Sequence, residues 1–212
     1  MAQTLKEEVR ERILQAAERL FVLLGYQKAT MNAIAGEAHM AVGNIYKYFP
    51  NKQKLFHAII DDAFVSQFRA LTLKRVKSLN DPSQTEEVKT IDEMSSDTLL
   101  DFWIENRNKT IILLAKSAGS KYESFAKEYV QMMIDFSNAQ LPFMRRNLAN
   151  TEMFQFVFKN RIEDTVRDIV LILEKYETEA DIKRAFATSW SYHHAGIQGL
   201  IEWSSNHEEG LS

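Results

Sequence analysis

Apolar residues return every three or four positions along almost the whole of this 212-residue chain, and little interrupts them. Three prolines (Pro50, Pro82 and Pro142) and seven glycines are the strong breakers. No run alternates apolar and polar residues between turn dipeptides. A helical period fits that pattern and a strand period does not, so the chain is predicted to be all-α. With 45% hydrophobic and 26% charged residues, it reads as a globular chain able to bury a core. Its length allows one large domain or two small ones.

Helix ends can be placed from local chemistry. Thr4 with Glu7 reads as a capping box, and Gly25 sits where a terminating glycine belongs. Between them Val9, Ile13, Ala16, Ala17, Leu20, Phe21 and Leu24 form one apolar stripe. Thr30 is expected to cap a short helix over 31–38, buried through Ile34, Ala35 and Ala38. A turn and a second short helix over 42–48 follow. Asn51 then caps a long helix of about 52–77. The polar stretch 78–92 reads as a linker or a frayed helix start. A helix over about 96–117 ends near Gly119, and Ser120 with Glu123 opens another over about 121–148, which Pro142 bends or stops. Two long helices, about 151–175 and 178–206, close the chain, the last capped by Thr178 with Asp181.

Several function classes are disfavoured. The chain has no cysteine, so disulfides, thiolate zinc sites and a cysteine nucleophile are excluded. The five histidines are spread out, apart from adjacent His193 and His194, which point about 100° apart on a helix and cannot chelate together. No metal or other cofactor is expected. No nucleophile–base pair or phosphate loop stands out, so the chain is not expected to be an enzyme. The charged opening MAQTLKEEVRER lacks an apolar signal core, and no apolar run nears the roughly 18 residues of a spanning helix, so a cytoplasmic location is expected.

Net charge is −3, but it is unevenly spread. Between residues 27 and 55, four lysines (Lys28, Lys47, Lys52, Lys54) face Glu37 alone, a net of +3 on an otherwise acidic body. A basic island of this kind suits phosphate contact, though a solvated cluster looks the same. The island coincides with two short helices joined by a tight turn, the arrangement in which the second helix enters a DNA major groove. Such a helix needs small or polar residues for close approach to bases and flanking groups that hold phosphates. Residues 40–48 offer both. Tyr46 and Tyr48 are two apart, so they cannot share one buried face, and at least one phenol must point outward. Ile45 and Phe49, four apart, read as core.

The run T-M-N-A-I-A-G-E-A-H-M-A-V-G-N-I-Y-K-Y-F-P-N-K-Q-K-L, from Thr30 to Leu55, resembles the N-terminal domain of the TetR family of transcriptional repressors. The likeness is carried by I-A-x-x-A, the G-x-I-Y-x-Y-F unit at 43–49, x-K-x-x-L at 51–55, and the L-F-x-x-x-G-Y end of the first helix, and it covers roughly residues 8–56. It implies a helix-turn-helix DNA-binding domain over 1–50 and a helical effector-binding and dimerisation domain over 51–212. It further implies that Thr30, Gly43, Tyr46, Tyr48 and Lys52 hold phosphates or allow close approach, while Met40, Ala41, Asn44 and Lys47 lie nearest the bases. Thr30 also reads as a plain helix cap, one of the tyrosines as core, Lys52 as a solvated first-turn residue and Met40 as a turn packer. The family often has glycine-valine-serine in the turn, where the corresponding residues here are read as Ala38, His39 and Met40.

By the same resemblance, the body should supply an effector pocket and a homodimer interface, making a repressor that leaves a near-palindromic double-stranded operator when a small molecule binds. The interface is expected on the last two helices, through Phe158, Ile162, Val166, Ile169, Tyr192, Gly196, Gly199 and Trp203. Gly196 and Gly199 each cost about 1 kcal/mol against alanine within a helix, which close approach of a partner helix would explain. The pocket is expected from Trp103, Asn106, Arg107, Met132, Met133, Phe136, Trp190 and His193, although a methionine and aromatic stripe is also ordinary core. The helix over 52–77 is expected to act as the lever between the parts. The alternatives are a DNA-binding regulator without an effector, and a helical ligand-binding or carrier protein.

Overall fold

The apolar period is realised as helix throughout the residues that the computed structural model describes, 2–79, 98–140 and 152–206. The polar stretch from 80 onward, Pro82, Pro142 and His207 lie outside them. Helix α1 spans Ala2–Lys28, α2 Met31–Glu37, α3 Val42–Ile45, α4 Lys52–Ile59 and α5 Asp62–Leu79. Helix α6 spans Thr98–Glu105 and α7 Arg107–Ile111, which runs on as a π-helical stretch, Ile112–Lys116. Helices α8 (Phe125–Gln140), α9 (Glu152–Lys175) and α10 (Glu179–Asn206) complete the described chain. It divides into two compact units, one of Met1–Gln67 with Asn106–Ala126, the other of Phe68–Glu105 with Lys127–Ser212.

In the first unit, α1 begins at Ala2, so Thr4 lies inside the helix rather than capping it. Gly25 does break α1: its φ of 78° and ψ of 159° suit glycine almost alone. The stripe on α1 is buried at Ile13, Ala16, Ala17 and Phe21, whereas Leu24 is exposed. Phe56 of α4 packs edge-on against Phe21 (5.4 Å) and Tyr26 (4.8 Å), with Tyr122 6.4 Å away. Truncating Phe56, 2% exposed, would cost about 3–5 kcal/mol in lost transfer and cavity energy.

The long helix expected over 52–77 is two. Ile60 leaves helical geometry (φ −111°, ψ 87°), and the Asp61 carboxylate accepts the Phe64 amide at 2.7 Å, capping α5 afresh. The pair Asp61–Asp62 ahead of an apolar run was a readable cap signal. Beside the break, Asp62 accepts hydrogen bonds from Lys121 (2.6 Å) and the Tyr122 hydroxyl (2.5 Å), which hold its pKa below the ordinary carboxylate value.

Ser120 and Glu123 do make local bonds, Ser120 accepting the Tyr122 amide and Glu123 the Gly119 amide. They close a turn, however, and α8 starts only at Phe125. The helix expected over 96–117 is interrupted at Asn106 (φ −111°, ψ 36°).

The second unit centres on Phe68, fully buried against Phe102 (6.0 Å), Trp103 (6.1 Å) and Tyr129 (5.2 Å). The buried Tyr129 hydroxyl pairs with Thr72 at 2.9 Å, and burial pushes its pKa well up. Helices α9 and α10 pack together, and Ile169, Leu173, Ile182 and Phe186 on them are buried. Thr178 caps α10 as its sequence predicts, its hydroxyl accepting the Asp181 amide at 3.1 Å.

Candidate nucleic-acid interface

Helix α2 forms because Thr30 accepts the Ala33 amide at 3.1 Å and because Met31, Ile34 and Ala35 bury one face. It closes in a Schellman turn, with the His39 amide on Gly36 O (3.1 Å) and the Met40 amide on Ala35 O (3.0 Å). The turn needs one left-handed residue, and His39 supplies it at φ 54°. That left-handed backbone is what a turn glycine is for. The glycine of the family pattern therefore corresponds to His39, one residue later than read above, and its serine to Ala41 rather than Met40. Ala41 caps α3 without any side-chain bond.

Helix α3 is only four residues long and buries a single side chain, Ile45. Phe49 follows into the core, and the Arg10 guanidinium stacks 5.5 Å from its ring. Ala41, Gly43, Asn44, Tyr46 and Lys47 are exposed, while Met40 and Tyr48 are half-buried. Tyr46, at 49% exposure, is thus the outward phenol that the two-residue spacing requires. A Cβ at Gly43 would meet nothing within 4 Å, so packing inside the protein does not require a glycine there. Lys47 donates to Asn44 Oδ1 at 3.1 Å, which couples two of the residues expected nearest the bases. Thr30 is exposed but already engaged as a cap.

Lys52 differs from expectation. Its ammonium donates to three main-chain carbonyls, Tyr26 O (2.7 Å), Gln27 O (3.2 Å) and Ala29 O (2.8 Å), and lies 4.4 Å from the Tyr26 ring centre. All three of its donors are used within the protein, and burial draws its pKa down from the ordinary lysine value. No local signal pointed to this, because the acceptors lie 23 to 26 residues away.

The other expected sites fare unevenly. Among the interface residues, Tyr192 (72%) and Trp203 (52%) are exposed, as are Gly196 and Gly199, where an added Cβ would meet nothing. Phe158, Val166 and Ile169 are instead buried within the protomer, and Ile162 is half-buried, because the inner stripe of α9 is spent on intramolecular packing. Met153, Phe156 and Leu171 are exposed apolar residues on the same helix. Of the pocket residues, Asn106 and Arg107 belong to the first unit and the rest to the second. In the second unit Trp103 packs 5.6 Å from Phe186, Met133 is buried, and the Arg75 guanidinium lies 5.5 Å from the Trp190 ring, while Met132 and Phe136 line an open groove beside Arg69. His193 donates from Nε2 to the Asp168 carboxylate (3.0 Å), which also accepts the Ser189 hydroxyl (2.6 Å). Burial raises the Asp168 pKa, but these hydrogen bonds outweigh it and the net direction is down. Trp103 Nε1 and His193 Nδ1 are buried without a hydrogen-bond partner. No cluster of three His, Asp or Glu among the described residues could hold a metal. No helix among them is long and apolar enough to cross a membrane.

A short, outward-facing helix held behind a tight turn on a three-helix base defines a helix-turn-helix domain. Residues 13–59 match the model of the bacterial regulatory proteins, tetR family. That match covers the helix-turn-helix and the helices on either side of it. An HTH-type transcriptional regulator of Staphylococcus aureus USA300 is 29% identical over 133 residues, 61% of this chain and 65% of its own length. Another, from the bovine strain RF122, is 30% identical over 132 residues, with the same shares. The match thus spans slightly under two thirds of these relatives. Residues 100–189 also match the model of the AMIN domain, a description that names no chemistry. Among solved structures, NalD, the secondary repressor of the MexAB-OprM multidrug efflux pump in Pseudomonas aeruginosa, aligns with a TM-score of 0.40 and 20% identity over 88% of this chain and 96% of its own. The fatty acid degradation regulator FadR of Bacillus halodurans aligns with a TM-score of 0.43 and 16% identity over 91% and 94%. Overlaps this loose carry no argument about ligand or partner.

Proposed function

We propose that this protein is a DNA-binding transcriptional regulator that reads a near-palindromic operator as a homodimer and leaves it when a small molecule binds. The observation that carries the DNA reading is the joint exposure of Gly43, Asn44, Tyr46 and Lys47 on and just after a helix that buries one side chain. Four such groups have no packing role to explain them, and together they offer small size, an amide, a phenol and a charge to a duplex. Selection from a random duplex pool tests it. The full-length chain should enrich one sequence family, with affinity falling steeply between about 50 and 200 mM salt. No enrichment at low salt would overturn the reading.

Dimerisation is supported by exposed Leu171, Tyr192 and Trp203, whose apolar area favours cover by a second copy. Release by an effector is supported by Trp103 Nε1 and His193 Nδ1, two buried nitrogens left without partners inside the helical body. A ligand acceptor would satisfy the indole N–H of Trp103, and a ligand donor the free Nδ1 of the neutral His193 ring. Trp103→Phe should remove the thermal shift that such a ligand produces, whereas an absence of any shift across a metabolite library favours a regulator without an effector.

A further inference from the structure

Two places fix how α3 is presented: the joint before α2 and the joint after α3. We infer that Lys52 fastens these two joints together and is a positioning residue for DNA recognition, rather than a phosphate ligand. The inference rests on the DNA reading above. The segment that carries α2 and α3 lies between Thr30 and Asn51. Its leading joint, residues 26–29, follows the break at Gly25 and turns through one backbone bond, Ala29 N to Gly25 O at 3.1 Å. Its trailing joint is the start of α4, where Asn51 accepts the Lys54 amide at 2.8 Å.

One ammonium spans them. From the first position of α4, Lys52 reaches back to the carbonyls of Tyr26, Gln27 and Ala29, spread over both sides of the turn. These carbonyls close α1, where a cation is electrostatically favoured. The Tyr26 ring, 4.4 Å from the ammonium, is itself 4.8 Å from Phe56 on α4, so polar and aromatic contacts hold the same joint. Beyond its turn to α2 and the burial of Phe49 after it, helix α3 has few constraints of its own: four residues, one buried side chain and no side-chain cap. Its tilt is therefore inherited from its two anchors.

A tetrahedral ammonium can serve three converging carbonyls, whereas a planar guanidinium cannot. Lys52→Arg and Lys52→Met therefore separate charge from geometry. Three measurements on the full-length chain are compared: affinity for the enriched duplex, affinity for an unrelated duplex across salt, and hydrogen exchange at the Ala29 amide. Both variants should bind the enriched duplex about tenfold more weakly, the scale of one lost base contact, with little change on unrelated DNA. The salt slope of each should stay near that of the wild type, and Ala29 exchange should quicken by about tenfold. Wild-type-like selectivity in Lys52→Arg would overturn the inference. So would a salt slope about 0.9 smaller in Lys52→Met with Ala29 protection intact, the mark of a phosphate contact. If the wild type enriches no duplex, the DNA reading itself falls. Exchange at Ala29 needs no DNA and still reports whether the strap exists.

Discussion

Helix α3 and helix α10 both turn side chains outward, and they do so with opposite chemistry. On α3 and the turn that follows it the exposed set is small, polar and basic: Gly43, Asn44, Tyr46 and Lys47. On α10 it is Tyr192 and Trp203 flanking two bare glycines, with Leu171 exposed on α9. Water solvates the first set at little cost and the second at a cost proportional to its apolar area. The first surface can therefore stand uncovered, as the proposed DNA face requires, while the second favours apolar cover, as the proposed dimer interface requires. Exposure alone does not identify a binding face, and the kind of group exposed identifies what it waits for.

Changing the apolar face should produce the largest effect. Leu171→Asp combined with Tyr192→Asp should raise the dimer dissociation constant at least about 30-fold, as loss of a hot spot does, and sedimentation should show monomers. Both residues are more than half exposed, so the monomer should melt almost as before. Persistent dimers would remove the contrast between the two faces.

A smaller effect is expected on the polar face. Tyr46→Ala should weaken operator binding by about 1 kcal/mol while changing unfolding free energy by less than about 0.5 kcal/mol. Lys47→Ala should flatten the salt slope by about 0.9 if its charge meets one phosphate. A large loss of stability from Tyr46→Ala would make that phenol structural.

The turn between the polar helices offers a gain instead. His39→Gly should stabilise by about 0.5–1 kcal/mol, since a left-handed residue strains a side chain more than glycine costs in entropy. Ala41→Ser should add about 0.5–1 kcal/mol by capping α3. A urea midpoint raised at constant slope would show both.

The smallest effect should come from exposed Asp62. Its folded pKa is depressed, mainly by the hydrogen bond from Lys121 and then that from Tyr122, so its stabilisation is present above the unfolded carboxylate value of about 3.9 and is lost as pH falls through the lower folded value. Asp62→Asn should therefore melt slightly lower than the wild type at neutral pH, with the gap closing in acid.

Helical class, the short pair of helices and the caps at Thr30, Asn51 and Thr178 were legible because each depends on neighbours within a turn of the chain. The outward phenol was legible as a choice between Tyr46 and Tyr48, since spacing forbids burying both. What could not be read was anything settled at long range. Phe158, Val166 and Ile169 have the apolar period of an interface, and only packing reveals that the protomer's own helices use them. Ser120 and Glu123 look like a helix cap, but the Lys121 and Tyr122 bonds to Asp62 belong to a turn that ends before α8 begins.

By itself, then, the sequence determined an all-helical chain with a basic, aromatic helix-turn-helix near its start, because periodicity and capping act over four or five residues. Tertiary structure alone decided where Lys52 spends its charge and which apolar stripe remains open. Both depend on groups that share no local pattern and meet only once helices far apart in the chain have packed.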